Sequence, residues 1–107
     1  MKTNELKNLL SQHGISIRGV SPEFLASMES AGIDDLSVNA LQIRRMAREF
    51  GLDTAVANTA HLIARDIDRK GQYTDVVVLD GKTMALSIST GGLTITPVTG
   101  VNYGEAF

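Results

Sequence analysis

Residues 76–97 read Val76-Val77-Val78-Leu79-Asp80-Gly81-Lys82-Thr83-Met84-Ala85-Leu86-Ser87-Ile88-Ser89-Thr90-Gly91-Gly92-Leu93-Thr94-Ile95-Thr96-Pro97, and the fold turns on this stretch. Two turn signals cut it into three segments. Asp80-Gly81 is a two-residue hairpin signal, because a primed turn needs positive φ at its central residues. Thr90-Gly91-Gly92-Leu93 is the second signal. If Leu79 faces Lys82, then Val77 faces Met84. If Thr90 faces Leu93, then Ile88 faces Ile95 and Leu86 faces Pro97. Both turns then place Val77, Leu79, Met84, Leu86, Ile88, Leu93 and Ile95 on one side of a sheet. Thr83, Ala85, Ser87, Ser89, Thr94 and Thr96 fall mostly on the other, which is small and hydroxyl-rich. A slip of one residue at either turn would invert a whole strand, so the agreement between two turns carries weight. Pro97 lacks an amide donor and suits an edge strand.

Upstream of Gly71 the apolar period is 3.6, not 2. A first helix is expected over 4–13, capped by Thr3 or Asn4, with Leu6, Leu9, Leu10 and His13 on one stripe. Ile15, Ile17 and Val20 alternate briefly, as a short strand or an extended link would. Ser21-Pro22-Glu23 is a strong helix start, with Phe24, Met28 and Ala31 as the inner face. Ser37 is expected to cap a third helix over 38–50, with Ile43, Met46, Ala47 and Phe50 inward. Gly51 ends that helix, Leu52 packs under the turn, and Asp53 caps a fourth over 54–70. Val56, Ala60, Ile63 and Ile67 form its apolar stripe, and Ala55, Ala57, Ala60 and Ala64 allow a close neighbour. The expected fold is α+β: four N-terminal helices packed on a C-terminal three-stranded antiparallel β-meander, an order that also fits a winged helix. The expected organisation is a single domain over 1–98, helical over 1–71 and β over 72–98. A tail over 99–107 carries Tyr103 and Phe107.

The chain has 107 residues, 43% hydrophobic and 21% charged, which is ordinary for one globular domain and excludes general disorder and collagen-like fibres. It has no cysteine, so disulfides, thiolate metal sites and cysteine nucleophiles are excluded. Polar residues follow Met1 and no apolar run approaches a membrane span, so a soluble cytoplasmic protein is expected. The net charge is −2, which does not suggest nucleic acid for the chain as a whole. The distribution is uneven. Residues 38–70 hold Arg44, Arg45, Arg48, Arg65, Arg69 and Lys70 against Glu49, Asp53, Asp66 and Asp68, while both flanking segments are mildly acidic. Solvated helix faces are the plainest reading of that pattern.

Signals for catalysis are poor. His61 and Asp66 are five apart and lie on different sides of a helix. His13 sits at a helix end, where positive charge is favourable. Asp34-Asp35 lacks the ligand spacing of a calcium loop. Gly91-Gly92 joins two strands and so lacks the helix N-terminus of a phosphate cradle. No serine stands in a nucleophile-elbow pattern. No catalytic residue, metal site or cofactor is expected.

Three functional readings remain, the last an enzyme or small-ligand binder that only a pocket gathering His61 with distant acids would support. The first is a small non-enzymatic protein-binding module (an inhibitor, adaptor or assembly subunit of the kind phages and mobile elements encode). It would bind another protein through Ser87, Thr94 and Thr96 on the sheet and Tyr103 and Phe107 in the tail, and would bind itself as a homo-oligomer through the sheet edge or the alanine-rich helix. The second is a winged-helix-like DNA-binding regulator using the helices over 38–50 and 54–70. Arg44, Arg45 and Arg48 on the first and Asn58, His61 and Arg65 on the second would contact phosphates and base edges. A hairpin tip with one acid and one base, Asp80 and Lys82, weakens that reading, because a phosphate-gripping wing needs cations.

Overall fold

The computed structural model of the chain describes residues 1–51 and 53–98. Four helices precede three strands: α1 (Thr3–His13), α2 (Pro22–Ser30), α3 (Ala40–Glu49), α4 (Thr54–Lys70), β1 (Gln72–Leu79), β2 (Lys82–Ser89) and β3 (Gly92–Pro97). The strands form one antiparallel sheet in the order β1-β2-β3, so the α+β meander expected from the sequence is the observed architecture.

The first hairpin has the expected register, with Leu79 opposite Lys82 and Val77 opposite Met84. Asp80 at φ 53° and Gly81 at φ 76° give the primed turn that matches the right-handed twist of its strands. The second hairpin differs by two residues. Ser89 faces Gly92, Ile88 faces Leu93 and Leu86 faces Ile95, so the loop is Thr90-Gly91. The reason is local. Ser89 Oγ accepts from the Gly91 amide at 3.3 Å and donates to the Gly92 carbonyl at 3.4 Å, so one hydroxyl satisfies the turn. This register also pairs aliphatic with aliphatic across β2 and β3, where the expected one would set Leu86 against Pro97. A shift of two preserves side-chain parity, and the expected division between faces survives it.

Leu86 and Ile88 of β2 and Tyr73 of β1 are buried with the helical core. Val77, Leu79, Leu93 and Ile95 are half-buried against that core, and Met84 is half-buried further out. The seven aliphatic residues therefore share one face, but the helices fully cover only the part around Leu86 and Ile88. The helical core comes from Leu6 and Leu10 of α1, Leu25 and Met28 of α2, Ile43, Met46 and Ala47 of α3, and Ala57, Ala60, Ile63, Ala64 and Ile67 of α4. The small α4 residues sit in the packed interior, where they let other elements come close. Ile17 and Val20 close a two-residue turn through paired backbone bonds of 3.0 and 2.7 Å. Arg18 at its tip has φ 50°.

Two expected caps are present: Ser21 Oγ accepts from the Phe24 amide at 3.1 Å, and Asp53 accepts from the Ala55 amide at 2.8 Å. Two are not. α1 begins at Thr3 with Lys2 as its N-cap and no side-chain cap, because Lys2 is drawn into an antiparallel bridge with Asp35. α3 begins at Ala40, not at 38, because Ser37 turns away from it, and Asn39 Nδ2 donates back to the Asp35 carbonyl at 3.0 Å. His13 and Ala31 are exposed where inward positions were expected, and Leu25 fills the inner face of α2. Phe50 is in phase with the α3 core but lies one residue past the helix end, where it is 68% exposed. Leu52 lies outside the described residues.

Thr3 Oγ1 is buried and has no hydrogen-bond partner among the described residues. An unpaired buried hydroxyl carries a desolvation penalty that a methyl of the same shape would not. Thr3→Val is therefore expected to raise stability by about 1 kcal/mol, read as a higher urea midpoint at unchanged slope. A lower midpoint would show that the hydroxyl is satisfied.

Candidate functional site

The sheet turns one face to the helices and leaves the other bare among the described residues. Across the bare face the strands align in rows: Thr74–Ser87–Thr94, then Val76–Ala85–Thr96, then Val78–Thr83. Val76, in mid-strand, is 59% exposed, and Val78, one residue from the strand end, is 68% exposed. Because β2 contributes only Ala85 and Ser87 between larger neighbours, the face dips along its centre. The dip is an open hollow of about 430 Å³ lined by Thr74, Asp75, Val76, Ala85, Leu86, Ser87, Thr94 and Thr96, of which Asp75 and Leu86 carry their side chains on the helix-facing side. No side chain standing on this face is charged. Ser87, Thr94 and Thr96, expected here, are brought together. Tyr103 and Phe107 lie outside the described residues. Val76 and Val78 were missed as site residues, although the first hairpin register alone puts them on this face.

A second surface is built on α3 and α4. Spacings of three and four put Leu41, Arg44, Arg45 and Arg48 on the outward arc of α3, opposite Ile43, Met46 and Ala47. Thr54, Asn58, Arg65 and Arg69 share the outward arc of α4. Arg44 Nε donates to Asn58 Oδ1 at 3.2 Å and ties the two arcs together. Ser37, just ahead of α3, bonds Asp68 far along α4, so the third-helix segment and α4 lie side by side in antiparallel order. Among the described residues, none of Arg44, Arg45, Arg48, Arg65 or Arg69 enters an ion pair. By spacing His61 lies between Asn58 and Arg65 on the same arc. It is half-buried, with Nδ1 3.4 Å from the Leu36 carbonyl oxygen.

Two polar clusters anchor these surfaces, and neither was foreseen. Asp75 lies on the helix-facing side of β1, with 11% of its side chain exposed. It accepts from the Tyr73 hydroxyl at 2.8 Å, from Arg18 Nε at 2.9 Å and from the Val76 amide at 2.8 Å. Burial alone would raise its pKa, but these donors outweigh burial and hold the carboxyl below its ordinary value. Burial, and then the neighbouring Asp75, push the Tyr73 hydroxyl well above its usual value. The second cluster surrounds the Met1 amino group, which donates to Ser37 Oγ at 2.9 Å and lies 3.2 Å from Asp68 and 3.5 Å from Asp35. Asp68 is lowered chiefly by the Ser37 hydroxyl. Asp35 would be raised by burial, but the Val38 and Ser37 amides and the amino group lower it.

Another hollow, about 470 Å³, lies between α1 and the β2–β3 turn and is lined by Met1, Glu5, Asn8, Leu9, Gln12 and Ser89–Gly92. Like the sheet hollow it is open to solvent, unlike the enclosed clefts that bury most of a small ligand. Among the described residues, no three histidine or carboxylate side chains gather as metal ligands, and no helix is long and apolar enough to cross a membrane. Compared with known protein families, curated proteins and solved structures, the chain has no match.

A carboxylate whose folded pKa is depressed adds stability above its unfolded pKa of about 4 and loses it as pH falls through the folded value. Asp75→Asn should thus cost about 1–3 kcal/mol at pH 7 in urea unfolding, with the gap to the parent chain closing toward pH 2. A gap independent of pH would remove the charge from the explanation.

Proposed function

We propose that the chain is a non-enzymatic protein-binding module, an inhibitor, adaptor or assembly subunit, that works inside the cell through the bare face of its sheet. The observation that carries this reading is the pair Val76 and Val78, both more than half exposed on the outer side of β1, on a face whose outward side chains carry no charge. Solvated sheet faces are normally polar, and an exposed apolar strip is a mark of a contact surface. Depleted charge at the centre of the patch is also the compositional signature of protein interfaces.

The test is affinity capture from the native host with the parent chain and with a V76K/V78K variant. The partner should be held by the parent, lost by that variant, and retained by an R44A/R48A variant. Equal capture by all three would sink the reading, as would capture by none together with no self-association.

A second reading, nucleic-acid binding by α3 and α4, is favoured by one observation: among the described residues, none of their outward arginines enters an ion pair. Arg44, Arg45, Arg48 and Arg65 would neutralise phosphates and Asn58 would sit between them. Each phosphate contact adds about 0.9 to the slope of log affinity against log salt. An R44A/R48A/R65A variant should therefore flatten that slope by about 2–3 in anisotropy titrations of duplex DNA. An unchanged slope, or no binding by the parent at low salt, counts against this reading.

A further inference from the structure

We infer that the occupant of the bare sheet face is a second copy of this chain, the two sheets stacking face to face about a twofold axis. The inference rests on the proposed protein-binding role of that face and names its partner. Its first support is electrostatic. A twofold interface sets a surface against itself, so residues near the axis meet their own kind. Charge of one sign is repelled there. Hydroxyls are self-complementary, since each both donates and accepts. The face carries threonine, serine, valine and alanine and no charge, in a chain that is 21% charged.

The second support is shape. The ridge of Val76 and Val78 on β1 stands beside the trough over Ala85 and Ser87 on β2, and a ridge next to a trough fits its own copy. The third is that the sheet edges are guarded. The pair Leu79–Lys82 closes the first hairpin, so odd-numbered β1 residues bond β2 and even-numbered ones point outward. The central outward amide, Val76 N–H, is already bound by Asp75 at 2.8 Å. On β3 the outward positions are Leu93, Ile95 and Pro97, and Pro97 has no donor. Each edge therefore lacks one free amide donor, at Val76 on β1 and at Pro97 on β3, which disfavours edge-to-edge pairing, whereas the outer face is open along its length among the described residues.

The area sets the strength. Three strands about 4.8 Å apart and some seven residues long give a face of roughly 300 Å² in plan. Two stacked faces bury on the order of 1,000 Å² of accessible surface, near the lower bound for a specific interface. Association is expected at micromolar concentrations.

Sedimentation equilibrium of the full chain from about 5 to about 500 µM tests this. The parent should shift from monomer to dimer across that range. V76K/V78K should remain monomeric throughout with an unchanged circular dichroism spectrum. A T94K/T96K variant on β3 should do the same and keeps the result from depending on the folding of one variant. A parent that stays monomeric overturns the inference, and so does a dimer that persists in both variants. If the parent is monomeric yet captures a host protein that V76K/V78K loses, the second copy is excluded while the protein-binding reading stands.

Discussion

The central strand works on both of its sides. Leu86 and Ile88 enter the core and carry the contact with the helices, while Ala85 and Ser87, one residue out of step, look away from it. Side chains alternate with a period of two, so the sets cannot move independently. A slip of one residue would bury Ser87 and expose Leu86. β2 is paired on both edges, so its register is held by the Asp80-Gly81 turn on one side and by the Ser89-braced turn on the other. A shift of two residues at the second turn is compatible with the core, because parity is unchanged. The character of the outer face is thus a consequence of how the inner face is packed.

Polar contacts between distant segments then fix where the helical part sits. Arg18 reaches Asp75 across 57 positions, and the Met1 amino group reaches Asp68 across 67. Arg18 is 58% exposed and Asp68 45% exposed, so solvent screens both pairs and neither is a large source of stability. Their part is placement. Arg18 holds a left-handed backbone that a side chain of its kind rarely adopts. The Asp75 contact helps keep that turn in place, and a Cβ on Gly19 would stand 3.1 Å from Val56 of α4. The turn therefore bridges helix and sheet.

Most of what depends on period and turn chemistry was legible in the sequence: four helices, three strands, the two-sided meander, and the caps at Ser21 and Asp53. The register of the second hairpin was missed for a local reason, the Ser89 hydroxyl that braces its turn, whereas the missed caps share a different source, competition from residues far away in the chain. Ser37 is a good cap by type, but the Met1 amino group and Asp68 engage it first. Thr3 is displaced from capping because Lys2 pairs with Asp35. Phe50 keeps the right phase, yet it lies one residue past the end of α3 and is 68% exposed among the described residues. The hydroxyl rows on the sheet could be read from register, whereas the cluster at Asp75 could not. That cluster needs Arg18, whose position depends on how a short turn docks against β1.

The placement of charge links the two functional surfaces. A sheet face meant to stay wet is protected from stacking by lysine or glutamate among its outward positions. This chain has that charge to spend and places it on the helices, where the arginines of α3 and α4 face away from their own core. The helices cover the inner side of the sheet and the proposed contact uses the outer side. Two copies joined by their sheets would therefore leave both sets of arginines exposed. The protein-binding and nucleic-acid readings use different surfaces and are therefore not rivals.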